Sequence, residues 1–155
     1  MRGKKAPRRK IADDIKYGSP VVAKLINSVM YGGKKQTAQN IVYGALTLAE
    51  EKMKKPAMEV FDEAMKNVSP LLEVKSRRVG GANYQVPLQV RAERRLQLAF
   101  RWMIGAARGR KGKPMHEKLA MEIMDAAQNQ GEAVRKKMDV QRMAEANRAF
   151  AHFAK

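Results

Sequence analysis

Residues 72–95 read LEVKSRRVGGANYQVPLQVRAERR. Leu72, Val74 and Ser76 alternate with Glu73, Lys75 and Arg77, and Tyr84, Val86, Leu88 and Val90 alternate with Gln85, Pro87 and Gln89. A period of two is that of a strand, because successive side chains point to opposite faces. The glycine pair between the runs predicts a β-hairpin over residues 72–90, with its turn around Val79 to Asn83. Pro87 offers no N–H to a ladder, which a two-stranded ribbon tolerates because both strands are edges.

On either side of the hairpin the spacing is helical. Ser19-Pro20 predicts a helix start, a capping hydroxyl followed by proline at the first position, with Val22, Leu25, Ile26, Val29 and Met30 inward. A second helix is expected over 35–53, its stripe Ala38, Ile41, Val42, Ala45, Leu48 and Ala49. Gly44 within it points to close packing against a neighbour. Pro56 opens a third with Val60, Phe61, Ala64, Met65 and Val68 inward, closed by Ser69-Pro70. After the hairpin, Ala92, Leu96, Ala99, Phe100, Met103 and Ala107 form one face of a fourth. A fifth runs from Met115 to Asn129 with Leu119, Ala120, Ile123 and Ala127 inward and Gly131 as its stop. A sixth, with a weaker stripe, runs from Glu132 to the high 140s. Residues 1–18 lack this periodicity and read as an extended arm. The expectation is a mainly α protein of one domain over residues 1–155: about six helices in a bundle, a protruding two-stranded hairpin and a basic N-terminal arm.

Charge decides what such a body is for. Thirty-two Lys and Arg stand against fifteen Asp and Glu, a net charge of +17. Of that, +15 falls in residues 1–11 and 71–113. A surface made basic only for solubility would mix its signs. This concentration calls for a polyanionic partner, nucleic acid first, then an anionic membrane surface or an acidic protein. No apolar run approaches the ~18 residues of a membrane span. Nor does MRGKKAPRRK lead into the apolar core of a secretory signal. There is no cysteine, hence no disulfide or thiolate chemistry.

Each basic cluster has a plain alternative. Charge on Lys75, Arg77 and Arg78 could simply discourage edge-to-edge pairing of strands. Yet no acidic residue occurs between Val74 and Ala92, which favours docking on phosphate. Arg94, Arg101 and Arg108, seven apart, lie along one line of the fourth helix, with Arg91 and Arg95 beside them. An ordinary solvated face would carry glutamates in (i, i+4) pairs, and only Glu93 is available. Gly32-Gly33-Lys34-Lys35 before a helix reads equally as an anion site or as a helix–helix turn. Arg110, Lys111 and Lys113 sit in a glycine-flanked loop that is either a linker or a further contact. His116 and His152 have no nucleophile or metal-ligand spacing around them, and Asp13-Asp14 and Glu50-Glu51 read as cap or surface charge. An enzyme is not expected, and no cofactor. Rival readings are a DNA-binding helical protein, a basic scaffold for an acidic protein or membrane, and an RNA-modifying enzyme.

Five long segments in order, MRGKKAPRRK, LINSVMYGGKKQTAQNIVYGAL, EVKSRRVGGANYQVPLQVRAERR, FRWMIGAARGRKGKPMHEKLA and MAEANRAFAHF, resemble the family of small-subunit ribosomal protein seven. The resemblance implies a helical domain with a protruding hairpin. It implies binding to the three-prime major domain of the small-subunit ribosomal RNA and nucleation of head assembly. The hairpin would lie near the exit-site transfer RNA and the messenger RNA path. Small-subunit proteins nine and eleven would be neighbours, and the chain would be a cytoplasmic monomer within the ribosome. In some bacteria a family member also represses its own operon. The RNA-contacting residues carried over are Lys4, Lys5, Arg8, Arg9 and Lys10 of the arm, Lys34 and Lys35, Lys75, Arg77 and Arg78, then Arg91, Arg94, Arg95, Arg101 and Arg108, and Arg110, Lys111 and Lys113. The tip, Gly80, Gly81, Asn83 and Tyr84, would face transfer RNA.

Overall fold

The computed structural model describes Gly3 and residues 11–154. Lys4, Lys5, Arg8, Arg9 and Lys10, the basic part of the expected arm, lie outside the described residues. The elements in chain order are α1 (Pro20–Val29), α2 (Lys35–Met53), α3 (Ala57–Val68), β1 (Leu72–Val79), β2 (Ala82–Gln89), α4 (Ala92–Gly109), α5 (Met115–Ala127), α6 (Glu132–Ala146) and a 3-10 helix (Arg148–Ala154). This is the mainly helical architecture with one antiparallel hairpin that the spacing predicts. The 3-10 helix is an addition that its periodicity does not announce.

One apolar core joins α1 to α6. Helix α5 is its hub, packed on α2, α3 and α4. Val22, Leu25, Ile26, Val42, Val60, Phe61, Met103, Leu119 and Ile123 are buried there, because the three-and-four spacing aligns each helix's apolar side chains on one face. Gly44 faces α5: a Cβ there would meet the His116 Cβ at 3.4 Å, so its absence lets the two helices approach. Leu46, Leu98 and Ile104 are buried beyond the expected stripes, whereas Ala92, expected inward, opens α4 at the exposed surface. The first residue of a helix has no preceding turn to pack beneath it.

The N-terminal segment departs from the expected extended arm over its last residues. Residues 15–17 form a turn, closed by Gly18 N–H donating to the Asp14 carbonyl at 2.8 Å. Asp14 is only 6% exposed. Its carboxylate accepts from the backbone of Lys16 and Tyr17 at 3.1 and 3.0 Å and from the Tyr43 hydroxyl at 2.7 Å. A buried carboxylate requires such donors, and here they tie the segment to α2. That hydrogen bond, with burial and the Asp14 charge behind it, pushes the Tyr43 hydroxyl above its usual range. Asp14 thus caps the turn that follows it, one of the two roles expected for it, and is buried rather than a surface charge. Ser19 does not cap α1 through its hydroxyl: it is the Ser19 carbonyl that accepts from Ala23 at 3.2 Å.

The α5–α6 connection also differs from expectation. Helix α5 ends at Ala127, Asn129 takes the left-handed conformation (φ 59°), and Gly131 precedes α6 with φ 92°. Gly131 is required twice over. Its φ suits glycine, and a Cβ on it would stand 3.0 Å from Glu122 Oε1. Asn67 seals the end of α5 from α3, its side-chain amide donating to the Ala126 and Ala127 carbonyls at 2.9 and 3.0 Å.

Candidate nucleic-acid interface

The hairpin turn is tighter than expected. Gly80 (φ 59°) and Gly81 (φ 93°) form it alone, and Asn83 and Tyr84 belong to β2, opposite Arg78 and Arg77. This register fixes which side chains share a face, since directly paired residues project to the same side. Lys75 pairs with Val86 and Arg77 with Tyr84, so cations and the strand's most buried residue (Val86, 1% exposed) lie on one face.

That face is partly covered. Tyr84 packs against Phe150 and Phe153 of the 3-10 helix, at ring-centroid distances of 5.1 and 5.3 Å. Arg77 donates to the Phe153 carbonyl. The root packs on α6, and Leu72, Pro87 and Gln89 line a groove of about 380 Å³ with Gln141, Ala144 and Arg148. Of the hairpin, Lys75 through Arg78 and Gly80 through Asn83, apart from half-buried Val79, are exposed.

At the junction of hairpin and α4, Glu73 accepts from Lys75 at 3.2 Å and from Arg94 Nε at 3.1 Å. Burial alone would push the Glu73 carboxyl up; hydrogen bonds from Lys75 and Arg94, with their charges, hold it below its usual range. Arg94 therefore splints β1 to α4. Along α4, Arg91, Arg101 and Arg108 are exposed, and among the described residues none has a carboxylate within ion-pair distance. Arg101 and Arg108 flank a groove of about 430 Å³ between α1 and α4, floored by Phe100, Ile104 and Gly105. Arg95 is half-buried, and its Nε has no hydrogen-bond partner.

Arg110 is drawn inward rather than turned to solvent with its loop. Its Nε and Nη2 donate to Glu122 Oε2 at 3.2 and 2.6 Å, and Nη2 also reaches Asp125. Burial would lower its pKa, but the two carboxylates raise it above the ordinary arginine value, so it stays charged. Lys111 and Lys113 remain exposed, Lys113 near Glu117 at 4.0 Å. Lys34 and Lys35 are exposed too, but their backbone N–H groups donate to the Tyr31 and Gly33 carbonyls at 3.2 and 2.9 Å. The glycine pair there makes a helix–helix turn, with those two donors already used.

The first half of α6 carries Arg135, Lys136 and Lys137 in succession, cations outside the clusters that the charge distribution singles out. Three consecutive cations beside a basic hairpin were a visible signal, masked by the acids that balance the C-terminal segment as a whole. Lys137 donates to the Asn67 carbonyl at 2.6 Å. Its pKa is lowered first by burial and then by the charge of Arg95 on α4.

A helical body whose basic hairpin leads into an arginine-bearing helix of the core is the build of a protein that meets a polyanion over a wide surface. Residues 1–148 match the family of ribosomal proteins S7p/S5e. A protein named small ribosomal subunit protein uS7 from Thermotoga neapolitana is 60% identical over 153 residues, covering 99% of each chain. That of Alkaliphilus metalliredigens is 59% identical over 147 residues, 95% of this chain and 94% of the relative. That of Rhodopseudomonas palustris is 56% identical over 148 residues, 96% and 95%. The chain belongs to the ribosomal protein S7p/S5e family, whose members are RNA-binding structural proteins of the ribosome and not enzymes. Its place is the small ribosomal subunit. No helix among the described residues is long and apolar enough to cross a membrane.

Proposed function

We propose that the chain binds the three-prime major domain of small-subunit ribosomal RNA and nucleates assembly of the head. The observation that carries this reading is the exposed pair Arg101 and Arg108 on α4, with Arg91 just before the helix, none with a carboxylate partner among the described residues, together with exposed Lys75 and Arg78 on the two faces of the hairpin. Unneutralised guanidinium groups on a rigid helix suit phosphates bidentately. A-form RNA hides its base edges in a deep groove, so specificity comes from the shape of a junction where several backbones converge. A basic hairpin beside an arginine-bearing helix suits such a junction.

The exposed tip, Gly80, Gly81 and Asn83, lies toward the exit-site transfer RNA and the messenger path in this reading, with half-buried Tyr84 behind it. Small-subunit proteins nine and eleven are the neighbours, and the chain acts as a monomer within the ribosome. The same surface would hold the chain's own messenger where the operon is repressed. The test is affinity for an RNA fragment of the three-prime major domain across a salt series, with duplex DNA as competitor. A log–log slope on the order of five or more and poor competition by DNA support the reading. A flat salt dependence or equal competition overturns it.

A further inference from the structure

We propose that the bare ring of Tyr31 and the apolar groove beside it seat one unpaired RNA base, an assignment that rests on the RNA-binding reading above.

Tyr31 stands just past the end of α1 and is 86% exposed, the only exposed phenylalanine, tyrosine or tryptophan ring among the described residues. The other three tyrosines each have ring partners. Tyr17 and Tyr43 face one another at 5.9 Å, and Tyr84 lies against Phe150 and Phe153. The ring and hydroxyl of Tyr31 have no partner among the described residues. Its backbone is nonetheless held. The Tyr31 carbonyl accepts from the Lys34 N–H at 3.2 Å across Gly32 and Gly33, whose φ values of 59° and 76° suit glycine.

A lone apolar side chain on a surface needs no explanation. Tyr31 is not alone: with Val29, Met30, Ala38 and Ile41 it lines a groove of about 300 Å³ between α1 and α2. Sites for small organic groups begin near this size, at ~300 Å³. A groove of that volume beside a bare ring suits one planar group.

Charge selects which planar group. No Asp or Glu occurs between Asp14 and Glu50, whereas Lys16, Lys24, Lys34 and Lys35 all do. Lys34 lines the groove and Lys35 follows it, both exposed and without a carboxylate in ion-pair distance among the described residues. A nucleotide uses both features at once. Its base stacks on the ring, and the phosphates on either side of it meet the ammonium groups. An apolar protein side chain would fill the groove and leave the lysines unmatched. Lys34 and Lys35 by themselves would hold phosphate of any strand, paired or not. The ring restricts the contact to a base that is free to leave its helix.

The experiment uses the full chain with Tyr31→Ala, Tyr31→Phe and Lys34→Gln, titrated with RNA of the three-prime major domain. An exposed ring contributes little to the fold, so the three variants should melt as the wild type does. Tyr31→Ala should bind roughly ten-fold more weakly with the salt slope unchanged, because no charge is lost. Tyr31→Phe keeps the stacking face and should stay within about two-fold of wild type. Lys34→Gln should reduce the slope by about one. Chemical probing should find an unpaired base that the wild type shields and Tyr31→Ala leaves reactive. Wild-type affinity in Tyr31→Ala overturns the proposal while the RNA reading stands. An equal loss in Tyr31→Phe overturns it too, by assigning the contact to the hydroxyl, as does a lowered melting temperature in Tyr31→Ala, which makes the ring structural. If Tyr31→Ala binds RNA normally but washes out of the small subunit at lower salt, a protein neighbour covers the ring and the base assignment falls. A wild type with no affinity for this RNA overturns the broader reading and the base with it.

Discussion

Arg110 closes the α4–α5 loop onto Glu122: its Nε and Nη2 both donate to Glu122 Oε2, at 3.2 and 2.6 Å, while Glu122 Oε1 accepts from the Ala133 backbone at 2.9 Å. Glu122 is fully buried, and one carboxylate thus fixes a basic loop and the start of α6 together. A buried carboxylate deprived of its cation costs more than the pair contributes when intact. Arg110→Met should therefore lower stability by about 3 kcal/mol in chemical denaturation. Hydrogen exchange should quicken first at Ala133. A loss below about 1 kcal/mol would mean that water takes the place of the lost donor.

Glu73 gives the hairpin junction a pH dependence of definite sign. Its folded pKa lies below the unfolded value of 4.5. Its contribution is therefore complete above that value and disappears as pH falls through the folded one. Lys75 and Arg94 are substantially exposed, so Glu73→Gln should cost only about 1 kcal/mol at pH 7. The difference from wild type should vanish in acid. Thermal melts at neutral and acid pH check this, and a difference that persists in acid would assign the effect to packing.

Lys137 follows the same sign in the alkaline range for a different reason, since here folding disfavours the charged form. Burial, and then Arg95, set its folded pKa below the ordinary 10.5, so the unfolded chain holds the proton more tightly. Its contribution to stability should rise as pH climbs through the folded value toward 10.5. Arg95→Met should flatten that rise, read as melting temperature against alkaline pH. An unchanged slope would show that burial alone sets it.

The aromatic cover makes a local prediction. Tyr84→Ala should remove two ring contacts worth about 0.5–1.5 kcal/mol each. It should speed exchange through β2 while leaving Val42 and Leu119 in the core as protected as before. Phe153→Ala should do half as much. Collapse of global stability instead would make the hairpin part of the core.

The hairpin and six helices were legible because their periods are local properties of the chain. The sharing of a face by Lys75, Arg77, Val86 and Tyr84 was not. It depends on register, which changes side with a single residue of turn length, and the turn proved to be two glycines. Arg110 read as a loop cation because its partners are set on α5, where Glu122 lies among Leu119, Ala120 and Ile123. A glutamate inside an apolar stripe was the available clue. Arg91, Arg101 and Arg108 sit exposed on the helix that their spacing indicated, while Arg94 and Arg95 do not, the first bound to a hairpin carboxylate and the second facing α6.

The aromatic cover on Tyr84 also sets an order in time. Phe150 is added roughly 65 residues after Tyr84, a delay of several seconds at ~5–20 residues per second. For that interval β2 leaves the site of synthesis with Tyr84 bare and its outer edge open. The cations at Lys75, Arg77 and Arg78 would then guard a nascent strand against pairing with its neighbours, before the same charges have any RNA to meet.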